Sequence, residues 1–405
     1  MLHERIERLA EINSERGGRG ITREVYTPEY VRAVEFVAEA MGEAGLDTRL
    51  DSVGSLFGRW VGTDPEAPRV LTGSHFDTTL NAGRFDGVLG VLGAIEAVRE
   101  LRRAGVEPRR TIEVVGIAGE EPRFGAGCIG SRAMVGALTR EQLDDMRDRD
   151  GVSVTEAMRE RGFDPDRLDD ARLDADHVHA FVELHIEQGA VLETSGEQVG
   201  VVERIAAPHD LRVSLRGSAM HAGATPMRLR RDALAGASEV VLELERLALA
   251  SASATTVATV GVLRVEPGAV NVIPGQVEMD VDVRDSDLAA RERVIDALRA
   301  KLEETASRRG LELTVSTLVR DDPAACSPLV VEAVRAACQE LDVRYLNMTS
   351  GAYHDAMVLG ARLPMGMIFV PSVGGLSHHP DEYTHAEDID RGVQVLAGTL
   401  ARLAR

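Results

Sequence analysis

Four short apolar runs in this chain each lead into histidine or a carboxylate, a recurrence that fits an α/β sheet delivering its chemistry at strand ends. Arg69-Val-Leu-Thr reads as a buried strand that runs into Gly73-Ser-His75-Phe-Asp77-Thr. Gly83-Arg-Phe-Asp86-Gly87 follows, and the run Val88 to Val98 then reads as a helix, which puts Asp86 at its N-terminus between two glycines. A second strand, Thr111 to Ala118, ends in Gly119-Glu120-Glu121-Pro122. Adjacent side chains diverge there, so one carboxylate is free to bind metal while its neighbour faces a substrate. A third strand, His179 to Glu187, carries His185 at its end, and Leu376-Ser-His378-His379-Pro380 brings a further imidazole pair near the C-terminus. A lone His-x-Asp is more often a hydrogen-bonded pair than a ligand with its orienting acid. With 11 His in the chain, one at a strand end is ordinary; three such places with acids alongside point to a shared site.

Two divalent ions about 3.5 Å apart need a shared carboxylate, nitrogen or oxygen ligands on either side, and a base for the water between them. The four clusters supply all of these. The constellation resembles the dinuclear-zinc amidohydrolase and peptidase superfamily that includes carboxypeptidase G, the aminoacylases and the carbamoylases. Within it, Gly351-Ala-Tyr-His354-Asp355-Ala, His185-Ile-Glu-Gln188-Gly, His221-Ala-Gly-Ala-Thr-Pro-Met227 and Ser377-His378-His-Pro-Asp-Glu382 are similar to the N-carbamoyl-L-amino-acid amidohydrolase and allantoate amidohydrolase branch. The resemblance runs from Ile21 to the C-terminus, and its long motifs are far more specific for the branch than for the substrate.

Carried over motif by motif, the resemblance implies two divalent ions per subunit. His75 and His185 hold one, Glu121 and His378 hold the other, and Asp86 bridges them. Glu120 is then the general base, and Asp77 fixes the imidazole tautomer of His75. Gln188, His221, Asn271, Arg284, Gly351 and His354 match positions that line the substrate. Tyr353 stands where Gly or another residue is common, Ser55 where Asn is usual, and His379 beside His378 leaves open which of the two binds. Zn²⁺ is the first expectation for His and carboxylate ligands, with Mn²⁺, Co²⁺ and Ni²⁺ nearly as suitable. From local sequence alone, Arg284 in Asp280-Val-Asp-Val-Arg-Asp285 reads as a salt bridge to an acidic neighbour and Asn271 as a turn residue. The resemblance turns Arg284 into a bidentate clamp on a substrate carboxylate.

The reaction implied is hydrolysis of a carbamoyl or ureido amide, in N-carbamoyl-L-amino acids or a ureido acid such as allantoate, by a metal-bridging hydroxide with Glu120 as base and His221 beside the oxyanion. An aminoacylase or peptidase of the same superfamily is the alternative, against which Gln188 and the His354-Asp355 pair count. A non-enzymatic relative would be expected to lack a ligand or the base, and none is missing.

Lys and Arg total 46 against 66 for Asp and Glu, a net charge of −20 that repels phosphate backbones and argues against a nucleic-acid partner. Cys128, Cys326 and Cys338 form no Cys-x-x-Cys pair and no even framework, which fits a reducing, cytoplasmic compartment. The N-terminus alternates charged and apolar residues at helical spacing, with no signal-peptide core and no membrane span.

Strands alternate with helices such as Pro28 to Ala44 and Val88 to Arg103, predicting a mostly parallel, helix-covered catalytic sheet. The charged segment Arg140 to Asp176 reads as surface helices without site chemistry. From Leu211 the order becomes strand, helix (Asp232 to Leu249), two strands, helix (Leu288 to Arg308), strand, which is βαββαβ, the ferredoxin-like plan. In the resembling superfamily such an insertion is the lid and dimerisation module. The expected boundaries are 1–208 and 326–405 for the two parts of the catalytic domain and 209–325 for the lid, in a homodimer whose His221 serves the neighbouring subunit's metals.

Overall fold

The computed structural model describes residues 1–14 and 18–405. It is a mixed α/β structure with a mostly parallel main sheet and a separate antiparallel sheet. The chain divides into two compact units, one of Met1–Glu203, Ala325–Met348 and His354–Arg405, the other of Arg204–Ala324 and Thr349–Tyr353.

Among the described residues the main sheet has nine strands. Four at its centre lie side by side in parallel: Ile112–Ile117, Arg69–His75, Val178–Ile186 and Met365–Val370. All six residues of Ile112–Ile117 and of Met365–Val370 are buried, as expected of parallel strands covered on both faces. Leu56–Trp60 continues the sheet antiparallel to Ile112–Ile117, and Asp47–Leu50 pairs antiparallel to it in turn. These four central strands are the ones whose C-terminal ends carry the sequence clusters: His75 closes one, His185 stands next to last in another, and Glu120 and His378 follow the remaining two.

The helix Val88–Arg103 packs its first half almost wholly into the core through Val88, Leu89, Val91, Leu92 and Ile95. Fully burying each such side chain stabilises by roughly 1.5–3 kcal/mol. The helix starts from Gly87 at φ +65°, and a Cβ there would lie 2.4 Å from the His75 ring, so only glycine lets the imidazole pack against the turn. Pro28–Glu43 begins with Thr27, whose hydroxyl accepts from Tyr30 N, and with Pro at its first position. The charged segment after Arg140 forms two short helices, Arg140–Asp145 and Val154–Glu160, then two 3₁₀ turns.

In the second unit the strands stand in the order Glu312–Arg320, Ala207–Arg216, Gln276–Asp285 and Val257–Glu266, all antiparallel, with helices Ala233–Leu249 and Leu288–Arg309 between them in the chain. Gln276–Asp285 alternates strictly, burying Val277, Met279, Val281 and Val283. Ala237, Val240 and Leu244 from one helix, and Ile295, Leu298 and Leu302 from the other, complete the same core. Asp232 and Asp287 cap these helices by accepting from Ala235 N and Ala290 N. All three cysteines are buried and unpaired, and among the described residues no helix is long and apolar enough to cross a membrane.

Candidate metal centre

Asp86 is the hub of the site. One carboxylate oxygen lies 3.2 Å from His185 Nε2 and 3.6 Å from His75 Nε2, and the other lies 3.2 Å from His378 Nε2. His378 Nε2 is in turn 3.4 Å from Glu121 Oε1. Two donor sets meet at Asp86, His75/Asp86/His185 and Asp86/Glu121/His378, each with ligand atoms within 4.8 Å of one another, and a further group, Glu183/His185/His354, shares only His185 with them. Nδ1 of His75 faces the Asp77 carbonyl at 3.1 Å, and Nδ1 of His185 faces the Ile186 carbonyl at 2.9 Å. A carbonyl only accepts, so each Nδ1 carries the proton and each Nε2 turns its lone pair inward, as metal ligation requires. Gly87 N donates to His185 Nε2 at 3.2 Å, consistent with that tautomer. This donor chemistry, imidazole nitrogens and carboxylate oxygens converging with no Lys or Arg in either set, fits divalent metal binding.

Glu120 borders the cluster, its Oε2 3.7 Å from His75 Nε2, without joining either donor set. Burial pushes its carboxyl well above the usual range; His75 pulls it down, and Glu121, Asp355 and Asp86 push it further up. Burial and then Asp86 raise Glu121 to about 7. Asp86 goes the other way: burial opposes its ionisation, but the surrounding imidazoles of His185, His378 and His75 favour its charged form and hold it well below the usual carboxylate range. Acids crowded this closely in a buried place repel one another unless a cation stands between them.

The sequence profile of peptidase family M20/M25/M40 matches residues 65–402. The chain belongs to this family. It is 44% identical over 405 residues to an N-carbamoyl-L-amino acid amidohydrolase of Geobacillus stearothermophilus, covering 100% of this chain and 98% of the relative. A ureidoglycolate hydrolase of Arabidopsis thaliana is 43% identical over 391 residues, 95% of this chain and 82% of that protein. Among solved structures, a hydantoinase/carbamoylase family amidase from Burkholderia multivorans matches with a TM-score of 0.90 and 35% identity, covering 100% of this chain and 97% of the other. The M20 chain is accordingly an enzyme, an amidohydrolase.

Around the hub of this M20 enzyme, several expected residues take places that spacing alone does not reveal. The Asp77 carboxylate accepts from Gly119, Glu120 and Glu121 N and so holds the turn that carries both glutamates, while its contact with His75 at hydrogen-bond distance is through the main chain. Of the two adjacent imidazoles, His378 faces Asp86 and Glu121, whereas His379 accepts from Asp381 N. Gln188 Nε2 donates to Asp86 Oδ2. His354 is buried with its ring 4.6 Å from that of His185, and burial together with His185 keeps its pKa well below the ordinary histidine value. In the second unit, His221 is exposed and its Nδ1 accepts from Gly223 N and Ala224 N. Asn271 is exposed on the neighbouring loop, its carbonyl accepting from Ala222 N. Arg284 forms the local salt bridge to Asp282, with Nε within 3.0 Å of both carboxylate oxygens, and its NH1 reaches the Gly351 carbonyl at 3.5 Å.

Glu382 and Ser377 bound one of the sequence motifs without a role of their own, and Glu183 lies outside all of them. Glu382 Oε1 accepts from Phe85 N and Asp86 N, and Ser377 Oγ reaches Asp86 Oδ2 at 2.9 Å and Glu382 Oε2 at 3.1 Å. Gly83 makes room: a Cβ there would lie 2.2 Å from the Glu382 carboxylate. Glu183 is buried, accepting from Ser74 Oγ and from Ala356 N, next to His354. A signal for Glu183 exists, since an acid two residues before His185 in an apolar strand shares its face. An acid in a loop, like Glu382, carries no such mark.

Proposed function

We propose that the enzyme hydrolyses the carbamoyl or ureido amide of a small carboxylic acid, N-carbamoyl-L-amino acids foremost and ureido acids such as allantoate or ureidoglycolate next. The observation that carries the reading is one buried carboxylate, Asp86, shared by two histidine-containing donor sets, with a separate carboxylate, Glu120, at their border. In this reading His75, His185 and Asp86 would hold one divalent cation and Glu121, His378 and Asp86 a second, with Zn²⁺ the first choice. The chemistry such ions supply when bound is polarisation of the scissile carbonyl and a water of lowered pKa. Glu120 takes the proton of the attacking water and returns it to the leaving nitrogen, a role worth roughly 10²- to 10⁴-fold in rate. Asp77 keeps the Glu120–Glu121 turn in place for this transfer, and Gln188 and Ser377 fix Asp86.

His221, Asn271, Arg284 and Gly351 belong to the substrate side, with Arg284 on the substrate carboxylate, Asn271 and Gly351 on its polar backbone, and His221 on the developing oxyanion. His354, kept neutral, lines the acyl side. The second unit, whose βαββαβ order supports a ferredoxin-like plan, serves as lid and dimerisation module, and His221 acts on the partner subunit's site. The acidic surface and the buried free thiols are in keeping with a cytoplasmic enzyme that has neither a nucleic-acid nor a membrane partner.

The deciding experiment strips the metal, reloads one ion at a time, and measures ammonia release from N-carbamoyl amino acids, N-carbamoyl-β-alanine, allantoate and ureidoglycolate, beside hydrolysis of N-acetyl amino acids and dipeptides. Preference for the carbamoyl or ureido compounds is the expected result. Faster cleavage of the acetyl or peptide substrates would make the enzyme an aminoacylase or peptidase.

A further inference from the structure

Away from the metal centre, the edge of the main sheet gathers three arginines round one acid. Glu113 is 0% exposed on the central strand Ile112–Ile117. Arg69 Nε lies 2.8 Å from one of its oxygens, and Arg59 NH2 and Arg49 NH2 lie 3.3 Å and 3.7 Å from the other. Register explains the grouping: Arg59 stands directly opposite Glu113, Arg49 stands opposite Phe57 one strand further out, and Arg69 is two residues before Leu71, which is also opposite Glu113. Paired residues, and residues two apart on one strand, share a face of the sheet.

One buried carboxylate balances one guanidinium charge, and three guanidiniums surround this one: Arg59 NH2 donates a hydrogen bond to Oε1, whereas Arg69 Nε, on a side chain only 17% exposed, lies against Oε2 without hydrogen-bonding to it. Two of the three positive charges are in excess of Glu113, and Arg59 and Arg49 are the exposed pair. They are 47% and 45% exposed, and among the described residues neither has another carboxylate within 4.0 Å. Arg49 is also fixed in space, its guanidinium carbon 3.7 Å from the ring centroid of the buried Phe57. Stacking holds the plane and leaves the N–H edges outward. Burial lowers the Arg49 pKa; Glu113 and Asp51 raise it, and Arg59 and Arg69 lower it again, so the three cations repel one another. The three arginines and Glu113 together carry two net positive charges, one of them offset by Asp51 when it is ionised, on a chain whose overall charge is −20.

We propose that Arg49 and Arg59, backed by Arg69, form a binding site for a dianionic phosphate, either inorganic phosphate or the phosphate of a small phosphomonoester. Two guanidinium edges side by side match the oxygens of a tetrahedral dianion, and the incoming charge relieves the repulsion among the arginines. The site lies outside the proposed catalytic residues and stands whether or not the substrate assignment does.

The test is calorimetric titration of the metal-loaded enzyme with inorganic phosphate and with glycerol 2-phosphate at constant ionic strength, comparing the parent with R49Q/R59Q and with R59Q alone. Phosphate bound at the metals is common to all three proteins, so only the difference between them is read. The parent is expected to bind one more equivalent than R49Q/R59Q, and R59Q to bind it about tenfold more weakly, the loss expected for one charge-assisted contact. Turnover is expected to stay unchanged in both variants, which also reports that they fold. A larger response to glycerol 2-phosphate assigns the site to phosphomonoesters, and a larger response to inorganic phosphate assigns it to the free anion; either supports the proposal. Identical isotherms for the parent and R49Q/R59Q, or a chloride titration that matches phosphate, would overturn it.

Discussion

Gln188 donates through Nε2 to Asp86 Oδ2 at 2.9 Å, from a backbone held at φ +58°, and the same nitrogen lies 3.3 Å from Ser377 Oγ. The amide therefore steadies the carboxylate at the hub of the site. Outer partners of metal ligands typically contribute 10- to 100-fold in metal affinity or activity, so Gln188→Ala is expected to weaken metal binding by about that factor. Chelator competition measures it. A variant with parental metal affinity and a raised KM would place Gln188 on the substrate instead.

Asp86 and Glu120 are expected to separate ligand from base. Asp86→Ala removes the carboxylate common to both donor sets and should lose most bound metal. Glu120→Ala should keep its metal and lose roughly 10²- to 10⁴-fold in turnover. Metal analysis of the purified variants decides; a deficit of one equivalent in Glu120→Ala would exchange the roles of Glu120 and Glu121.

Much of this cluster is legible in the sequence because its histidines and acids lie at or just beyond strand ends, where an apolar run stopping at His75 or His185 is a local signal. The parallel centre of the sheet and the alternation of Gln276–Asp285 are legible for the same reason. What holds these side chains is not. Glu382 meets Asp86 N from 296 residues away, and Asp77 turns its carboxylate to a neighbouring strand's exit loop, contacts that depend on chain crossing rather than on spacing. The pairing of Arg59 with Glu113 is likewise a matter of register, fixed only once the strands are aligned.

Arg284 is already engaged by Asp282 along its Nε edge, with NH2 2.8 Å from Asp282 Oδ2, which leaves for a ligand only the NH1 side, where one long contact reaches the Gly351 carbonyl at 3.5 Å. Arg284→Lys should raise KM for carboxylate substrates, since an ammonium cannot keep Asp282 and a second carboxylate in one plane. The increase should be smaller for a substrate amidated at that carboxylate. Equal increases for both would leave Arg284 as the partner of Asp282 alone.

Asp51 provides a pH test of stability remote from the metals. Its Oδ1 accepts from Ser55 N and Val53 N, Oδ2 is buried without a hydrogen-bond partner, and burial raises the carboxyl pKa to about 6 from 3.8. The folded state thus holds this proton more tightly than the unfolded state does. Its stabilising effect is complete below the unfolded value and is lost as pH rises towards the folded one. Asp51→Asn keeps the acceptor and cannot ionise. Relative to the parent, it should gain stability as pH rises between about 4 and 6 and hold that gain at higher pH. Urea unfolding of both proteins across this range gives the difference; a difference independent of pH would show that Asp51 ionises freely in the folded protein.

The proposed dimer admits a sharper test, because a shared site makes complementation possible. The motivation is the antiparallel sheet of the second unit, in which Val257–Glu266 is an edge strand carrying exposed Val257 and Leu263, a template for pairing with a second copy. If His221 acts on the partner subunit's site, Glu120→Ala and His221→Ala homodimers should each be nearly inactive. A mixed dimer then has one site with both lesions and one with neither. Random exchange makes about half the dimers mixed, with one of two sites working in each, so roughly a quarter of parental activity should return. Were His221 to act within its own subunit, every site would carry one lesion and nothing would return. Exchange is verified by differently tagged subunits and dimerisation by sedimentation, so a silent mixture of proven heterodimers would exclude the shared site while leaving the dimer standing.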